Sequence, residues 1–259
     1  MPDIHPIPAF DDNYIWCLTE PGGRIATVVD PGDEEPVLAY LDERGLQPGT
    51  ILVTHRHGDH TGGIRALKAV YPDVEVYGPA DEPVPLCDHA AGEGDRIQPR
   101  DLATVFTVMS VPGHTEGHVA YLGGGMLFCG DTLFAGGCGR VFTGSHEQLY
   151  HSLRRIAALP DDTRIFCAHE YTQANLGFAR WVEPENPDIE RRAAEVDELR
   201  SRHQPTVPSL LAEELATNPF LRTGEKSVAD AASAWAGRAL LTGEEVFIAV
   251  RNWKDKDYD

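Results

Sequence analysis

One short segment of the chain brings together four side chains that can bind metal ions: His55, His57, Asp59 and His60. They directly follow an apolar run, and imidazole nitrogen and carboxylate oxygen are ordinary ligands of first-row metals. In an extended chain alternate side chains share a face, so His55, His57 and Asp59 are expected to converge while His60 points elsewhere. This spacing suits two adjacent metal ions better than one.

Three further candidate ligands, His114, Asp131 and His169, each follow the end of a predicted strand. Five histidines and two aspartates are then available. If one carboxylate bridges two ions, each ion has four protein ligands, as in two-metal hydrolases whose ions lie about 3.5–4 Å apart. The donor set has no thiolate and is compatible with zinc, iron or manganese.

The composition excludes several classes of protein. The chain has 259 residues, is 42% hydrophobic and 24% charged, and carries a formal net charge of −19. It is long enough for one large domain or two. It contains no uncharged apolar stretch of about 18 residues, which a membrane span needs. It also lacks the basic character that nucleic acid or an anionic membrane requires.

Two further features of the composition bear on where the protein acts. Five cysteines without a CxxC pair favour a reducing cytoplasm over a disulfide framework. The first ten residues hold neither Lys nor Arg, so they are not expected to be a signal peptide.

Short β-rich runs separated by turns fill the first two thirds of the chain. The predicted strands are Ile25–Val29, Thr50–Thr54, Val74–Tyr77, Thr104–Val111, Val119–Leu122, Met126–Cys129 and Arg164–Ala168. Hydrophobic periodicity predicts helices over Glu34–Arg44, Gly63–Val70 and Glu147–Leu159. Beyond about residue 170 only helices are predicted, over Gln173–Val182, Asp188–His203, Pro208–Leu215, Lys226–Trp235 and Thr242–Trp253. The pattern indicates a mixed α/β domain, residues 1–169, followed by a helical domain, residues 170–259.

The order of the candidate ligands resembles that of the metallo-β-lactamase superfamily. More narrowly, the sequence is similar to the hydroxyacylglutathione hydrolases, or glyoxalase II, over nearly its whole length. The similar runs are Asp11–Tyr14, Thr54–Gly63, Pro112–Thr115, Gly130–Phe134, Gly137–Arg140, Ala168–Thr172 and Asn218–Phe220. The first metal-binding motif is shared across the superfamily, whereas the glycine-and-cysteine loop, the HEYT run and the helical tail are more specific.

The resemblance implies an αββα sandwich of two mixed β-sheets, with helices outside and a helical C-terminal domain. It also implies two divalent metal ions, zinc first, with iron or manganese as alternatives. It assigns seven ligands. One metal would be held by His55, His57 and His114, the other by Asp59, His60 and His169, with Asp131 bridging them.

The implied reaction is hydrolysis of S-D-lactoylglutathione, a small thioester, to D-lactate and glutathione, the second step of methylglyoxal detoxification. A metal-bridging hydroxide would attack the thioester carbonyl. Asp59 and Asp131 are the implied catalytic carboxylates, and Asp59 would orient the nucleophile or accept its proton. The thiolate leaving group, with a conjugate-acid pKa of about 8.5, departs with little general-acid help. The family also implies a monomer, and the cysteine content favours the cytoplasm.

The resemblance further implies which residues bind the glutathione part of the substrate. Arg251 and Lys254 would meet its glycine carboxylate, and Arg140 and Tyr171 match other contact positions. One departure is Phe142, where some family members carry Tyr, so one hydroxyl contact is expected to be missing. Of the other polar residues, Asp30 is implied to lie near the site without binding metal, either supporting the ligands or forming a turn. His118 is interpreted as a non-ligand because all seven ligand positions are filled.

Three alternatives remain open at the level of sequence. A glutathione persulfide dioxygenase has the same scaffold but uses one iron. A zinc β-lactamase usually has Cys at the second metal, where this chain has Asp131. A non-catalytic zinc-binding module would have closed metal shells and no hydrolytic activity.

Overall fold

Two six-stranded β-sheets form the framework of the computed structural model, which describes residues 1–258. The first sheet consists, in spatial order, of β1 Asp3–Ala9, β2 Asn13–Thr19, β3 Ile25–Val29, β4 Gln47–Leu52, β5 Glu75–Pro79 and β6 His89–Ala91. In it β1, β2 and β3 pair antiparallel, and β3 to β6 pair parallel. It is therefore a mixed sheet.

The second sheet is also mixed. Numbered along the chain, its strands are β7 Arg96–Ile97, β8 Phe106–Ser110, β9 Val119–Gly123, β10 Met126–Gly130, β13 Arg164–Cys167 and β14 Ser209–Leu210. Spatially they follow one another as β14, β13, β10, β9, β8 and β7, and only β10 and β13 pair parallel. A separate hairpin lies between β10 and β13 in the chain, formed by β11 Leu133–Phe134 and β12 Gly137–Cys138.

Helices cover the outer faces of the sheets and form most of the C-terminal third. They are α1 Glu34–Arg44, α2 Gly58–Thr61, α3 Ile64–Val70, α4 His146–Ile156, α5 Thr172–Val182, α6 Pro187–Ser201, α7 Leu211–Thr217, α8 Lys226–Ala236 and α9 Gly243–Trp253. A π-helical turn, Lys254–Tyr258, continues α9. Within residues 1–258, no helix combines the length and apolar character needed to cross a membrane.

Side-chain alternation along the strands divides the core into layers. In β2, Ile15 and Cys17 pack with the helix residues Val37 and Leu41 on the outer side of the first sheet. The next residue along, Trp16, faces the second sheet and contacts Phe166 edge to face at 5.0 Å. Helices outside and two mixed sheets inside confirm the expected αββα sandwich.

Two expectations about the elements are wrong. The N-terminal hairpin of β1 and β2 was not predicted. Pro6 and Pro8 in β1 cannot donate backbone hydrogen bonds and therefore disfavour a strand. β1 accommodates them because it lies at the edge of its sheet. Strands also do not stop at residue 170: Ser209 and Leu210 pair with β13, and the helix predicted from Pro208 begins only at Leu211. There tertiary pairing overrides local helix propensity.

The C-terminal helices share one hydrophobic core with the second sheet. Phe178, Phe220 and Phe247 belong to the same buried cluster as Phe128 and Phe166. We retain the division into residues 1–169 and 170–259 as a proposal about domains. Residue 259 lies outside the described part of the chain.

Candidate metal centre and substrate cleft

The seven candidate ligands meet at one end of the sandwich, beyond the carboxyl ends of four strands. His55 comes shortly after β4, His114 after β8, Asp131 directly after β10 and His169 shortly after β13. Loops at such strand ends carry binding residues on a rigid scaffold. Their potential ligand atoms form three overlapping groups, each within 4.8 Å: His55, His57 and His114; His55, His60 and Asp131; Asp59, His60 and His169.

The first cluster of ligand atoms is formed by three imidazoles and one carboxylate oxygen. His57 Nδ1 lies 3.0 Å from His55 Nε2 and 3.1 Å from His114 Nε2. Asp131 Oδ2 lies 3.5 Å from His114 Nε2. Two nitrogens bound to one tetrahedral zinc ion lie about 3.3 Å apart, so this spacing fits a metal ion.

The second cluster has the same spacing with a different donor set. His60 Nε2 lies 3.4 Å from both Asp59 Oδ2 and Asp131 Oδ1. His169 Nε2 lies 3.5 Å from Asp59 Oδ2 and 3.4 Å from Asp131 Oδ1. Asp131 therefore turns one oxygen toward each cluster, which is the placement that a bridging carboxylate needs.

The expectation from an extended chain is wrong for Asp59 and His60. The backbone is extended at His57 but turns into the short helix α2 at Gly58. Within that helix Asp59 and His60 both reach the second cluster, and Asp59 lies with His169 rather than with His55. Alternation along a strand cannot describe a segment that changes conformation at its middle residue.

Polar partners fix two of the three imidazoles of the first cluster, those of His55 and His114. The Thr54 hydroxyl donates to Asp30 at 2.7 Å and lies 3.1 Å from His55 Nδ1. His114 Nδ1 lies 2.7 Å from the carbonyl oxygen of Arg140, to which it donates. With the proton on Nδ1, each ring presents its Nε2 lone pair to the cluster, as metal-bound histidines do.

The same arrangement holds the second cluster. His169 Nδ1 lies 2.7 Å from Asp12 Oδ1, and His60 Nδ1 lies 3.1 Å from Asp30 Oδ2. Asn13 donates to Asp59 Oδ2 at 3.2 Å. Sequence reasoning gave Asp12 and Asn13 no role, although their run was noted as similar to the family. Asp30 was expected near the site, either behind the ligands or in a turn, and this buried carboxylate contacts Thr54 and His60 and so supports both clusters.

His118 is buried but stands outside the three groups of candidate ligands. Its ring stacks on that of His55 with the centroids 4.6 Å apart, and its Nε2 accepts the backbone N–H of Asp131 at 3.2 Å. Burial lowers the pKa of His118 far below its ordinary value, so the ring is neutral and can accept this hydrogen bond. His118 thus holds the position of Asp131.

The electrostatics of the centre favour a cation. Burial opposes the charged forms of His60 and Asp131. At His60 the negative charges of Asp131 and Asp30 outweigh burial and raise the pKa of the imidazole well above its ordinary value. Likewise His60 and His169 hold the pKa of Asp131 well below its usual range despite its burial. The carboxylates thus concentrate positive charge at the centre of the cluster.

Two buried ligand atoms show that the residues fit metal ions. His60 Nε2 and Asp131 Oδ1 find no hydrogen-bond partner among residues 1–258. Leaving a buried polar atom unsatisfied is costly, and coordination to a metal ion satisfies both at once. The two clusters therefore form a candidate binuclear site for divalent metals.

A cleft of about 480 Å³ opens over this centre, and all four candidate substrate-binding residues line it: Arg140, Tyr171, Arg251 and Lys254. Tyr171 stacks on His169 with the ring planes 5° apart and the centroids 4.8 Å apart. Phe142 stands at the opening, 63% exposed, and contacts the rings of His57 and His114. The structure thus brings five of the seven candidate ligands and all four candidate substrate contacts into one cavity, with His55 and His60 buried outside its lining.

Arg251 is deeply buried in the cleft wall. It donates through Nη1 to the carbonyl of Cys138 at 3.1 Å, and its guanidinium lies over the ring of Phe220 at 5.1 Å. It therefore also ties α9 to the β11–β12 hairpin. Lys254 is buried beside it, whereas Arg140 is 56% exposed at its side chain.

Comparison with known proteins identifies the family. Residues 13–169 match the metallo-beta-lactamase superfamily model, and residues 170–257 match the hydroxyacylglutathione hydrolase C-terminus model. The chain is 52% identical to the hydroxyacylglutathione hydrolase of Alkalilimnicola ehrlichii, covering 99% of this chain and 100% of the relative. The chain belongs to the hydroxyacylglutathione hydrolase family. The relative from Pseudomonas fluorescens is also 52% identical, with 99% of this chain and 100% of the relative covered.

Solved structures agree with this family on the fold. ETHE1 from Myxococcus xanthus superposes with a TM-score of 0.67 at 24% identity, covering 97% of this chain and 90% of that one. TTHA1623, solved in a di-iron-bound form, has a TM-score of 0.55 at 32% identity, covering 64% of this chain and 91% of that one. At the identity of ETHE1 the likeness shows the metallo-beta-lactamase fold alone.

Proposed function

We propose that this hydroxyacylglutathione hydrolase cleaves S-D-lactoylglutathione to D-lactate and glutathione. Full-length similarity to relatives of that name supports the reaction. The observation that carries the proposal is the single cleft in which buried cationic side chains, Arg251 and Lys254, face the same cavity as the metal-binding clusters. A glutathione thioester has carboxylates at one end and a reactive carbonyl at the other, so one molecule engages both.

We propose that His55, His57 and His114 hold one metal ion and that Asp59, His60 and His169 hold the other, with Asp131 between them. The spacing of their ligand atoms supports this assignment. Two divalent ions bound there supply Lewis acidity toward the thioester carbonyl and toward water. Zinc is the proposed metal, and metal analysis of the purified protein distinguishes it from iron and manganese.

The proposed role of Asp59 is to orient the attacking water. Burial raises the pKa of its carboxyl, but the hydrogen bond and charge of His60 outweigh burial and hold the pKa well below its usual range. Asp59 is therefore anionic, its side chain is 41% exposed toward the cleft, and Asn13 holds it in place. Such a carboxylate accepts a hydrogen bond from water better than it removes a proton.

The remaining proposed contacts concern the glutathione part. Arg251 and Lys254 bind its glycine carboxylate through charge-assisted hydrogen bonds, and Arg140 and Tyr171 line its path to the metal centre. The leaving thiolate needs no acid group in the protein, because its conjugate acid has a pKa of about 8.5. We further propose a cytoplasmic monomer, in line with the five free cysteines.

The experiment that tests the function is an assay of the purified, metal-loaded protein with S-D-lactoylglutathione. D-Lactate and free thiol should appear in equal amounts without oxygen uptake. A chromogenic cephalosporin and glutathione persulfide serve as competing substrates. Faster turnover of the cephalosporin, or oxygen-consuming oxidation of the persulfide, would contradict the proposal.

A further inference from the structure

A single carboxylate oxygen beside the cleft contacts both arginines of the cleft lining. Asp255 Oδ1 accepts a hydrogen bond from Arg251 Nη2 at 2.9 Å and lies 3.6 Å from Arg140 Nε. Asp255 follows α9 in the π-helical turn, and its side chain is 33% exposed. An anionic group of the protein thus lies beside the cations proposed to receive the carboxylates of the substrate.

The two arginines are held to different degrees. Arg251 is 1% exposed and is also fixed by the Cys138 carbonyl and the Phe220 ring. The Arg140 side chain is 56% exposed, so its ion pair with Asp255 is screened by solvent. Exposed ion pairs of this kind are weak and exchange readily for another anion.

The i, i+4 ion pair with Arg251 stabilises the helical turn, but the helix dipole opposes a carboxylate at this position. Asp255 lies just beyond the C-terminus of α9, where the helix dipole favours cations and disfavours anions. Asp255 instead serves as the counter-ion of the buried guanidinium of Arg251, since a buried charge requires one. The same location makes it a competitor for any anion that enters the cleft.

We propose that Asp255 is a specificity-determining residue that competes for the exposed guanidinium of Arg140 with the glycine carboxylate of the glutathione part, which Arg251 and Lys254 bind. This inference rests on the proposed function. When the thioester binds, its carboxylate takes the place of Asp255 beside Arg140, while Arg251 keeps its hydrogen bond to the Asp255 oxygen. Because the product glutathione carries the same carboxylate, the competition weakens product binding and favours release.

Asp255→Asn tests the proposal because it removes the charge and keeps an oxygen that can accept from Arg251. We expect the Kd of glutathione, measured by titration calorimetry, to fall about two- to five-fold, the range expected for loss of one exposed ion pair. The KM for S-D-lactoylglutathione should fall in parallel, with the effect carried by KM rather than kcat. Glutathione methylated at its glycine carboxylate should show no such gain, and high salt should reduce the gain by screening.

Asp230→Asn is the matched control. It removes one negative charge and an ion pair with Lys226 at the same i, i+4 spacing, on the exposed surface of α8 away from the cleft lining. An unchanged or higher Kd for glutathione in Asp255→Asn, or an equal gain with the methylated ligand or in the control, would overturn the inference. If the unaltered protein neither binds glutathione nor hydrolyses the thioester, the proposed function fails and the inference fails with it.

Discussion

At the scale of single residues, four of the five candidate metal-binding imidazoles lie against a polar partner that fixes which nitrogen faces the cluster. Asp12 does this for His169 at 2.7 Å, and Asp30 does it for His60 at 3.1 Å. Such partners raise the basicity of the ligand and set its orientation. The affinity for metal therefore depends on residues that are not ligands.

Asp12→Ala should weaken metal binding at the second cluster about 10- to 100-fold, because His169 loses the acceptor that orients its ring. Competition with a chelator measures this directly, independent of activity. Asp11→Ala is the matched control, since Asp11 precedes it in the same turn and is exposed. Equal metal affinity in the two variants would contradict the role of Asp12.

Asp131→Ala should have the largest effect of any single change in the centre. The substitution removes the two carboxylate oxygens that face the two clusters, so the metal content should fall below one ion per chain. The value of kcat/KM should fall at least about 1,000-fold, as for the loss of a transition-state contact. Metal analysis and steady-state kinetics measure the two effects. Asp162→Ala, at an exposed turn, is the control. Full activity of Asp131→Ala would exclude the bridging role.

The clustering of the candidate ligands could be predicted from the sequence, and their polar partners could not. His114, Asp131 and His169 stand out because each follows an apolar strand, where a polar residue has few structural reasons to occur. The contact between Asp12 and His169 spans 157 residues and depends on how two sheets pack. No local pattern contains that information.

At the scale of elements, a buried ion pair connects the C-terminal helices to the cleft. Arg192 of α6 donates to Glu214 of α7 at 2.5 Å, and the other oxygen of Glu214 accepts the backbone N–H of Gly136 at 2.8 Å. Gly136 lies between β11 and β12, whose Cys138 contacts Arg251. This chain of contacts sets the position of the cleft wall.

Glu214→Gln should lower the free energy of unfolding by about 3 kcal/mol, because it removes the buried counter-charge of Arg192 and leaves only the partly exposed Glu213, 3.4 Å away. Urea denaturation measures the change. Glu195→Gln removes the exposed partner of Arg191 on the same helix and should have a much smaller effect. Equal destabilisation by the two variants would show that burial of the pair is unimportant.

Helices were predicted more accurately than strands, for local reasons. The bounds of α1 agree with the prediction, because Asp33 caps its start and Gly45 ends it in the left-handed region at φ 62°. Besides β2, β11 and β12, the edge strands β1, β6, β7 and β14 were missed. These edge segments are strands only because a neighbouring strand pairs with them, and such pairing is not encoded in any one segment alone.

At the scale of the whole molecule, one buried cluster runs from the second sheet into the C-terminal helices. Phe166 of the sheet and Phe220 and Phe247 of the C-terminal part all belong to it. The two parts matched by separate family models therefore share a core. They also share the cleft, since Arg251 and His57 both line it.

The shared core predicts cooperative unfolding. Far-UV circular dichroism and tryptophan fluorescence should give coincident transitions in urea, because Trp16 and Trp253 report on opposite ends of the chain but pack in or against one cluster. A fragment of residues 1–169 should show no cooperative transition, as it exposes the apolar face that the helices cover. Two separate transitions would indicate that the parts fold independently.

The most direct test of the account is a titration of the metal-stripped protein with zinc, in which the hydrolysis of S-D-lactoylglutathione is measured against equivalents of metal per chain. The two clusters and the bridging position of Asp131 predict that activity rises to its maximum as two equivalents bind. Maximal hydrolysis at one equivalent, or hydrolysis that persists without metal, would contradict a two-metal centre.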